Sequence, residues 1–174
     1  MSAALDRRRT AHAVLHVDLQ RPVRAWSPRV ADITAWASAA LGQRARGAEL
    51  AVRIVGARES RRLNHAYRGR DSATNVLSFP VTQALARAER AAAAQGGPAA
   101  REPLGDLVVC AALVREEARV QAKPLRVHWA HLIVHGALHL IGFDHRTPAD
   151  ARRMERREIG VLRRFGFPNP YRSA

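Results

Sequence analysis

The sequence predicts one domain that contains both β-strands and α-helices, and three observations lead to this prediction. Four short segments are apolar and rich in Val, Ile and Leu, as buried or half-buried strands are. Five longer segments repeat apolar residues at helical spacing. The chain of 174 residues is long enough for one well-buried core, and its 47% hydrophobic and 25% charged residues are typical of a globular protein.

The first part of the chain alternates predicted strands with predicted helices. Residues 1–11 are expected to form a flexible basic leader, and residues 12–174 a single domain. Ser27 and Pro28 are predicted to cap the first helix and to form its first turn. A polar, turn-rich segment precedes the third strand, which Pro80 is expected to end. The predicted strands are 12–19, 50–55 and 76–79, and the predicted helices are 29–41 and 57–67.

The second part of the chain carries one further strand and three helices. Residues 83–100 are alanine-rich with few large apolar side chains, so we expect a mobile excursion between two strands. The last helix has three start signals: Thr147 suits the cap, Pro148 the first position and Asp150 the first turn. Gly166 is expected to close this helix. The predicted elements are a strand at 104–110 and helices at 113–122, 125–141 and 148–165.

Three histidines near the end of the long helix form the most informative motif. His135 and His139 are four residues apart, so they lie on one face of a helix, one turn above the other. Gly142 permits a backbone turn that can bring His145 back toward the same point. Three converging neutral imidazoles predict a transition-metal site. Zn²⁺ is the first choice, because it accepts three nitrogen ligands and keeps a fourth position for water.

The histidine spacing H-x3-H-x2-G-x2-H also matches that of the metzincin metalloproteases. Those enzymes carry a glutamate general base directly after the first histidine, where this chain has Gly136. A metalloprotease activity is therefore disfavoured, and the general base must come from elsewhere. Asp144, Asp106 and His131 are candidates for that base, although Asp144 is equally suited to orienting a ligand imidazole. The sequence assigns the role to none of them.

The charge of the chain favours contact with nucleic acid. The formal net charge is +14, and Lys123 is the only lysine among the basic residues. Arginine forms bidentate contacts with phosphate, and so large a positive excess attracts phosphate independently of sequence. Two other readings are a GC-rich genome and simple solubility. Cys110 is the only cysteine, which excludes an internal disulfide, and no apolar run approaches the ~20 residues of a membrane helix.

Several segments together with the histidine motif resemble one bacterial family. The sequence is similar to the YbeY family, rRNA maturation factors described as single-strand-specific metallo-endoribonucleases. The likeness covers about residues 50–171. The segments that carry it are Asn64 to Asp71, Thr74 to Pro80, Leu104 to Val108, His128 to His131, the histidine motif at 135–145 and Gly166 to Tyr171.

The resemblance implies a fold, a site and an activity. The implied fold is α+β, with a mixed sheet of about four strands, helices packed around it, and the metal helix beside the sheet. The implied ligands of one Zn²⁺ are His135, His139 and His145, and Arg68 is implied to be a functional residue in the cleft. The implied substrate is single-stranded RNA in the rRNA precursor of the small ribosomal subunit. The implied role is 16S rRNA 3′-end maturation and ribosome quality control in the cytoplasm, with no DNA or membrane partner expected.

A catalytic site and a structural site make different demands on these residues. In a phosphodiester hydrolase, Arg68 would hold the phosphate or stabilise the charge that develops on its oxygens. Otherwise it is one more surface arginine. The alternative from another class is a ribosome-assembly RNA-binding protein with a structural zinc, which needs four protein ligands. Cys110, His131 and Asp144 are the candidates for that fourth ligand.

Overall fold

The computed structural model describes residues 14–82 and 101–172, together with residues 88 and 91. The predicted leader at 1–11 lies outside the described residues, as does nearly all of the predicted excursion at 83–100. Within the described part the chain forms one sheet and five α-helices, which confirms the predicted α+β class. The elements are β1 (His16–Gln20), α1 (Val30–Leu41), a 3-10 turn (Gly42–Ala45), β2 (Ala48–Val55), α2 (Ala57–Arg68), β3 (Val76–Pro80), β4 (Glu102–Cys110), α3 (Ala111–Val120), α4 (Leu125–Leu140) and α5 (Pro148–Arg163).

The sheet is mixed and has the order β1-β2-β4-β3. β1 and β4 both run parallel to β2, whereas β3 runs antiparallel to β4 and forms one edge. Leu50 of β2 lies between Val17 of β1 and Gly105 of β4. Gly105 has φ +131°, and a Cβ there would overlap the carbonyl oxygen of Phe79 on β3. A glycine is therefore required where β3 and β4 approach each other.

The two faces of the sheet carry cores of different size. On one face α1, α4 and α5 enclose the main core, whose fully buried members include Trp36, Trp129 and Met154. On the other face a smaller cluster centred on Val55, Leu77, Val108 and Cys110 contacts Leu63 of α2. The alternation of side chains along β4 explains the division, since Leu107 and Val109 point to the main core while Val108 and Cys110 point away.

The ends of two helices differ from the prediction. The predicted cap of α1 by Ser27 is wrong, because Arg29 is still extended and the helix begins at Val30 without a side-chain cap. The helix after β4 starts at Ala111 rather than at residue 113, since the strand passes directly into it. The start of α5 is as predicted: the Thr147 side chain accepts a hydrogen bond from the N–H of Asp150 at 3.1 Å.

None of the helices in the described part of the chain combines the length and the apolar character that crossing a bilayer requires.

Candidate metal centre

The last turns of α4 and the loop after it bring the three predicted histidines together. α4 packs against α1, β3 and β4, and this leaves a stripe of histidines on the side away from the main core. Gly142 has φ +93°, and Phe143 N donates to the Leu138 carbonyl at 3.1 Å, so the chain turns back after the helix. The ring centroids of the three residues are 4.6 Å (135 to 139), 5.1 Å (139 to 145) and 5.9 Å (135 to 145) apart.

The partners of His135 and His139 determine which ring nitrogen carries the proton. His135 Nδ1 lies 2.7 Å from a carboxylate oxygen of Glu158, and His139 Nδ1 lies 2.9 Å from the Phe143 carbonyl oxygen. Both partners are acceptors, so each Nδ1 must be the donor. In the neutral rings the proton is therefore absent from Nε2. The two Nε2 atoms face each other at 3.1 Å, as two lone pairs with no donor between them.

This donor set fits a divalent cation. Two ligands at ~2.0–2.1 Å from a tetrahedral zinc are roughly 3.3 Å apart, close to the observed separation of the two Nε2 atoms. Burial, and then the neighbouring His135, lower the pKa of His139, which keeps it in the neutral form that binds metals. Two facing lone pairs repel unless a proton or a cation lies between them. The arrangement could therefore hold a metal at Nε2 of both residues.

His145 completes the group from the loop. Its side chain is 60% exposed, and its Nδ1 lies 3.6 Å from the Asp144 carboxylate. That carboxylate accepts the backbone N–H of His145 at 2.8 Å and pairs with Arg146 at 2.8 Å. The backbone hydrogen bond is the main cause that lowers the pKa of Asp144. The ligand atoms of His139, Asp144 and His145 lie within 4.8 Å of one another, so Asp144 is close enough to join a metal site.

Glu158 is a functional candidate that the sequence reasoning missed. This residue of α5 is 0% exposed, and one carboxylate oxygen binds His135 while the other accepts the Tyr171 hydroxyl and lies 3.5 Å from His131 Nε2. Burial alone would raise the pKa of Glu158, but the donors around it lower that pKa to about 2. A signal existed, because Glu158 shares one face of α5 with the buried Met154 and Val161.

Arg68 lies at the last residue of α2 and is tied to the edge strand. Its Nη2 donates to the Ser78 carbonyl at 3.1 Å, and the Ser78 hydroxyl donates to the Gly136 carbonyl at 3.3 Å. Gly136 is the residue directly after His135, so two hydrogen bonds connect the guanidinium to the helix that carries the histidines. The rest of the Arg68 side chain is exposed.

The structure also separates some of the other candidates from the histidines. Cys110 is buried in the small cluster on the α2 face of the sheet, away from α4. Asp106 lines a groove on that same face with Tyr67 and Phe79, where burial raises its pKa. His131 lies one turn before His135 and faces Glu158, with which it forms a second group of possible ligands.

The position of Gly136 explains the missing glutamate of the protease motif. This residue faces the sheet rather than the histidine stripe, and a Cβ on it would lie 2.8 Å from Leu107 Cδ2 and 3.3 Å from Ser78 Oγ. A glutamate side chain would have to enter the buried interface between α4 and β4. The packing that holds α4 on the sheet is therefore incompatible with the protease base at this position.

Comparison with known proteins assigns the family. A family model described as endoribonuclease YbeY matches residues 20–166. The chain belongs to the endoribonuclease YbeY family. Membership places it among the nucleases, which are hydrolases, and confirms the resemblance that the motifs predicted.

Relatives and a solved structure agree with YbeY membership. A protein named endoribonuclease YbeY from Halorhodospira halophila is 48% identical over 158 residues, which are 90% of this chain and 96% of that relative. One with the same name from Aromatoleum aromaticum is 48% identical over 167 residues, covering 93% of this chain and 96% of its own length. The solution structure of a Thermotoga maritima protein aligns with TM-score 0.51 and 18% identity over 91% of this chain and 99% of its own, which supports the fold alone.

Proposed function

We propose that this chain is a single-strand-specific, zinc-dependent endoribonuclease that matures the 3′ end of 16S rRNA and acts in ribosome quality control in the cytoplasm. Membership of the YbeY family supports cleavage of RNA. The observation that carries the zinc site is the pair of facing, unprotonated Nε2 atoms of His135 and His139. His145, from the loop, is the proposed third ligand.

The metal would supply Lewis-acid chemistry, lowering the pKa of water and drawing charge from a phosphoryl oxygen. The protein's part is to hold and orient. Glu158 and the Phe143 carbonyl hold the ligand imidazoles with Nε2 free. Arg68, anchored to the Ser78 carbonyl through Nη2, can present its other N–H groups to a phosphate.

The proposed substrate is an unpaired segment of the rRNA precursor in the small ribosomal subunit. The net charge of +14 supports binding to the RNA backbone. Specificity for unpaired RNA would follow from the shape of the strand and from its ribosomal context. No DNA or membrane partner is part of the proposal.

A cleavage assay on matched single-stranded and duplex RNA tests this function. We expect the wild-type chain to cut only the single strand, and His135→Ala and Arg68→Ala to lose that activity. Two matched controls keep it: His16→Ala removes an exposed histidine of β1, and Arg58→Ala removes an exposed arginine of α2. Cleavage that survives His135→Ala would refute the hydrolase mechanism, and cleavage of duplex alone would refute the substrate.

A second candidate is an RNA-binding protein with a structural zinc, and the position of Asp144 favours it. Its carboxylate lies within 4.8 Å of ligand atoms of His139 and His145, so it can supply a fourth ligand. In that case Asp144→Asn would release zinc and lower the melting temperature together. In the proposed enzyme Asp144→Asn retains zinc, because the three histidines suffice. Zinc content after dialysis, measured with the melting temperature, separates the two.

A further inference from the structure

The C-terminal segment, residues 166–172, returns to the body of the protein after α5. Gly166 has φ +74°, and the Phe167 ring packs edge-on against Trp36 with ring centroids 6.1 Å apart. Farther along, Lys123 Nζ donates to the Pro170 carbonyl at 2.6 Å. An apolar contact therefore fixes the start of the segment, and a charge-assisted hydrogen bond fixes its end.

Tyr171 links this segment to the candidate metal centre. Its ring is 46% exposed, yet its hydroxyl reaches inward and donates to Glu158, which is 0% exposed. The same ring lies edge-on against His131, with centroids 5.5 Å apart. The opposite oxygen of Glu158 accepts Nδ1–H of His135 at 2.7 Å. One buried carboxylate thus joins the tail to a proposed metal ligand.

We propose that the C-terminal segment is part of the metal centre: Tyr171 positions Glu158, Glu158 holds His135 with Nε2 free, and metal binding is thereby coupled to docking of the tail. The inference rests on the proposed metal site at His135 and His139. Tyr171 and Glu158 act here as positioning residues, since each works through His135 rather than on substrate.

The coupling follows from the position of the carboxylate. Without the hydroxyl of Tyr171, one oxygen of Glu158 loses its donor in a place that water does not reach, and the carboxylate is free to rotate. His135 would then populate the other tautomer, with its proton on Nε2, where it cannot bind a cation. By linkage, a tail that tightens metal binding must itself be held more tightly when metal is bound.

Zinc affinity of the full chain, measured by competition with a chelating dye, is the first test. We expect Glu158→Gln to weaken zinc binding about 10–100-fold, the range typical of partners that orient metal ligands. Tyr171→Phe removes a single oxygen atom and should weaken binding by a smaller factor, on the order of several-fold. Because Glu158→Gln also alters a buried position, Tyr171→Phe is the decisive variant.

Two control variants match these changes. Tyr67→Phe removes the hydroxyl of the other tyrosine, on a side chain that is 65% exposed on α2. Glu117→Gln changes another carboxylate that lies 2.7 Å from a histidine of α4, in that case His128. Both controls should bind zinc as the wild type does, even where Glu117→Gln lowers the melting temperature.

The second test reads the coupling from the tail and from His135 directly. Amide hydrogen exchange should slow at Tyr171 and Arg172 when zinc is added to the wild type, and change little in Tyr171→Phe. The amides of these residues donate to Asn169 when the tail is docked. Ring ¹⁵N shifts of metal-free protein should report the Nδ1–H tautomer of His135, and Tyr171→Phe should shift it toward Nε2–H.

The outcomes separate this inference from the proposed function. If His135→Ala binds zinc like the wild type, the metal site itself is wrong. If His135→Ala loses zinc while Tyr171→Phe keeps wild-type affinity, only the role of the tail is overturned. Exchange at Tyr171 and Arg172 that zinc does not alter in the wild type overturns it as well.

Discussion

Two carboxylate–histidine pairs on α4 have the same geometry and different surroundings. His128 Nε2 lies 2.7 Å from Glu117, and His135 Nδ1 lies 2.7 Å from Glu158, two helical turns further on. The His128 side chain is 5% exposed, whereas that of His135 is 26% exposed. The free nitrogen of His128 is buried without a partner in the described part of the chain, and that of His135 faces His139.

The difference shows what converts a common structural pair into a candidate site. Glu117 is also held by the side chain of Asn75 and therefore ties α3 and α4 to the loop before β3. Glu158 instead leaves the lone pair of His135 directed at a second imidazole near solvent. The carboxylate–histidine contact fixes a tautomer in both places, but only the second presents converging lone pairs at an accessible position.

The largest expected difference between the pairs comes from removing the histidines. His135→Ala should abolish zinc binding and RNA cleavage, because it deletes one of two facing ligands. His128→Ala should keep both and lower the free energy of unfolding by roughly 1–3 kcal/mol, since Glu117 loses its partner. Zinc per chain after metal addition and urea unfolding check the two effects. Loss of zinc in His128→Ala would mean that the pairs are not functionally distinct.

The side of α4 that faces the sheet should tolerate even less change in volume than either pair. Gly136→Ala places a methyl group 2.8 Å from Cδ2 of the fully buried Leu107, so we expect a loss of about 1–3 kcal/mol. Gly160→Ala on α5 meets no atom within 4 Å and should instead stabilise by up to ~1 kcal/mol. Thermal unfolding of both variants measures the contrast. Equal effects would contradict the tight contact of α4 with β4.

Local signals in the sequence predicted most of the fold. The start of α5 was correct, because Thr147, Pro148 and Asp150 act within one turn. Apolar runs located β2 and β4 to within two residues at each end. The cap of α1 was wrong, since whether Arg29 or Ser27 begins the helix depends on how the preceding loop packs rather than on capping preference.

The candidate site divides along the same line. The convergence of His135, His139 and His145 followed from helical spacing and one glycine, all within eleven residues. Glu158 and Tyr171 come from α5 and from the tail, and only tertiary packing brings them to α4. No spacing rule connects positions so far apart in sequence.

The pH dependence of stability should distinguish the buried pair from the open one. Burial is the main cause that lowers the pKa of His128 below its ordinary value of 6.5, although Glu117 opposes the shift and His131 and Lys123 add to it. The unfolded chain therefore takes up a proton more readily than the folded chain. His128 costs no stability well above pH 6.5, and an increasing amount as the pH falls through that value. Metal-free His128→Gln should lose less melting temperature than the wild type between about pH 8 and about pH 5.

The smallest expected effect concerns the residue that supports Glu117, as Tyr171 supports Glu158. The Asn75 side chain donates to both oxygens of Glu117, at 3.0 and 3.1 Å, and accepts the N–H of Val76 at 2.7 Å. Asn75→Ala should lower the free energy of unfolding by about 1–2 kcal/mol and leave zinc affinity unchanged, because its partner orients no proposed ligand. Urea unfolding and dye competition on the same sample measure both quantities. A weakened zinc affinity in Asn75→Ala would show that the two pairs communicate along α4, and their separation into a structural pair and a site pair would no longer hold.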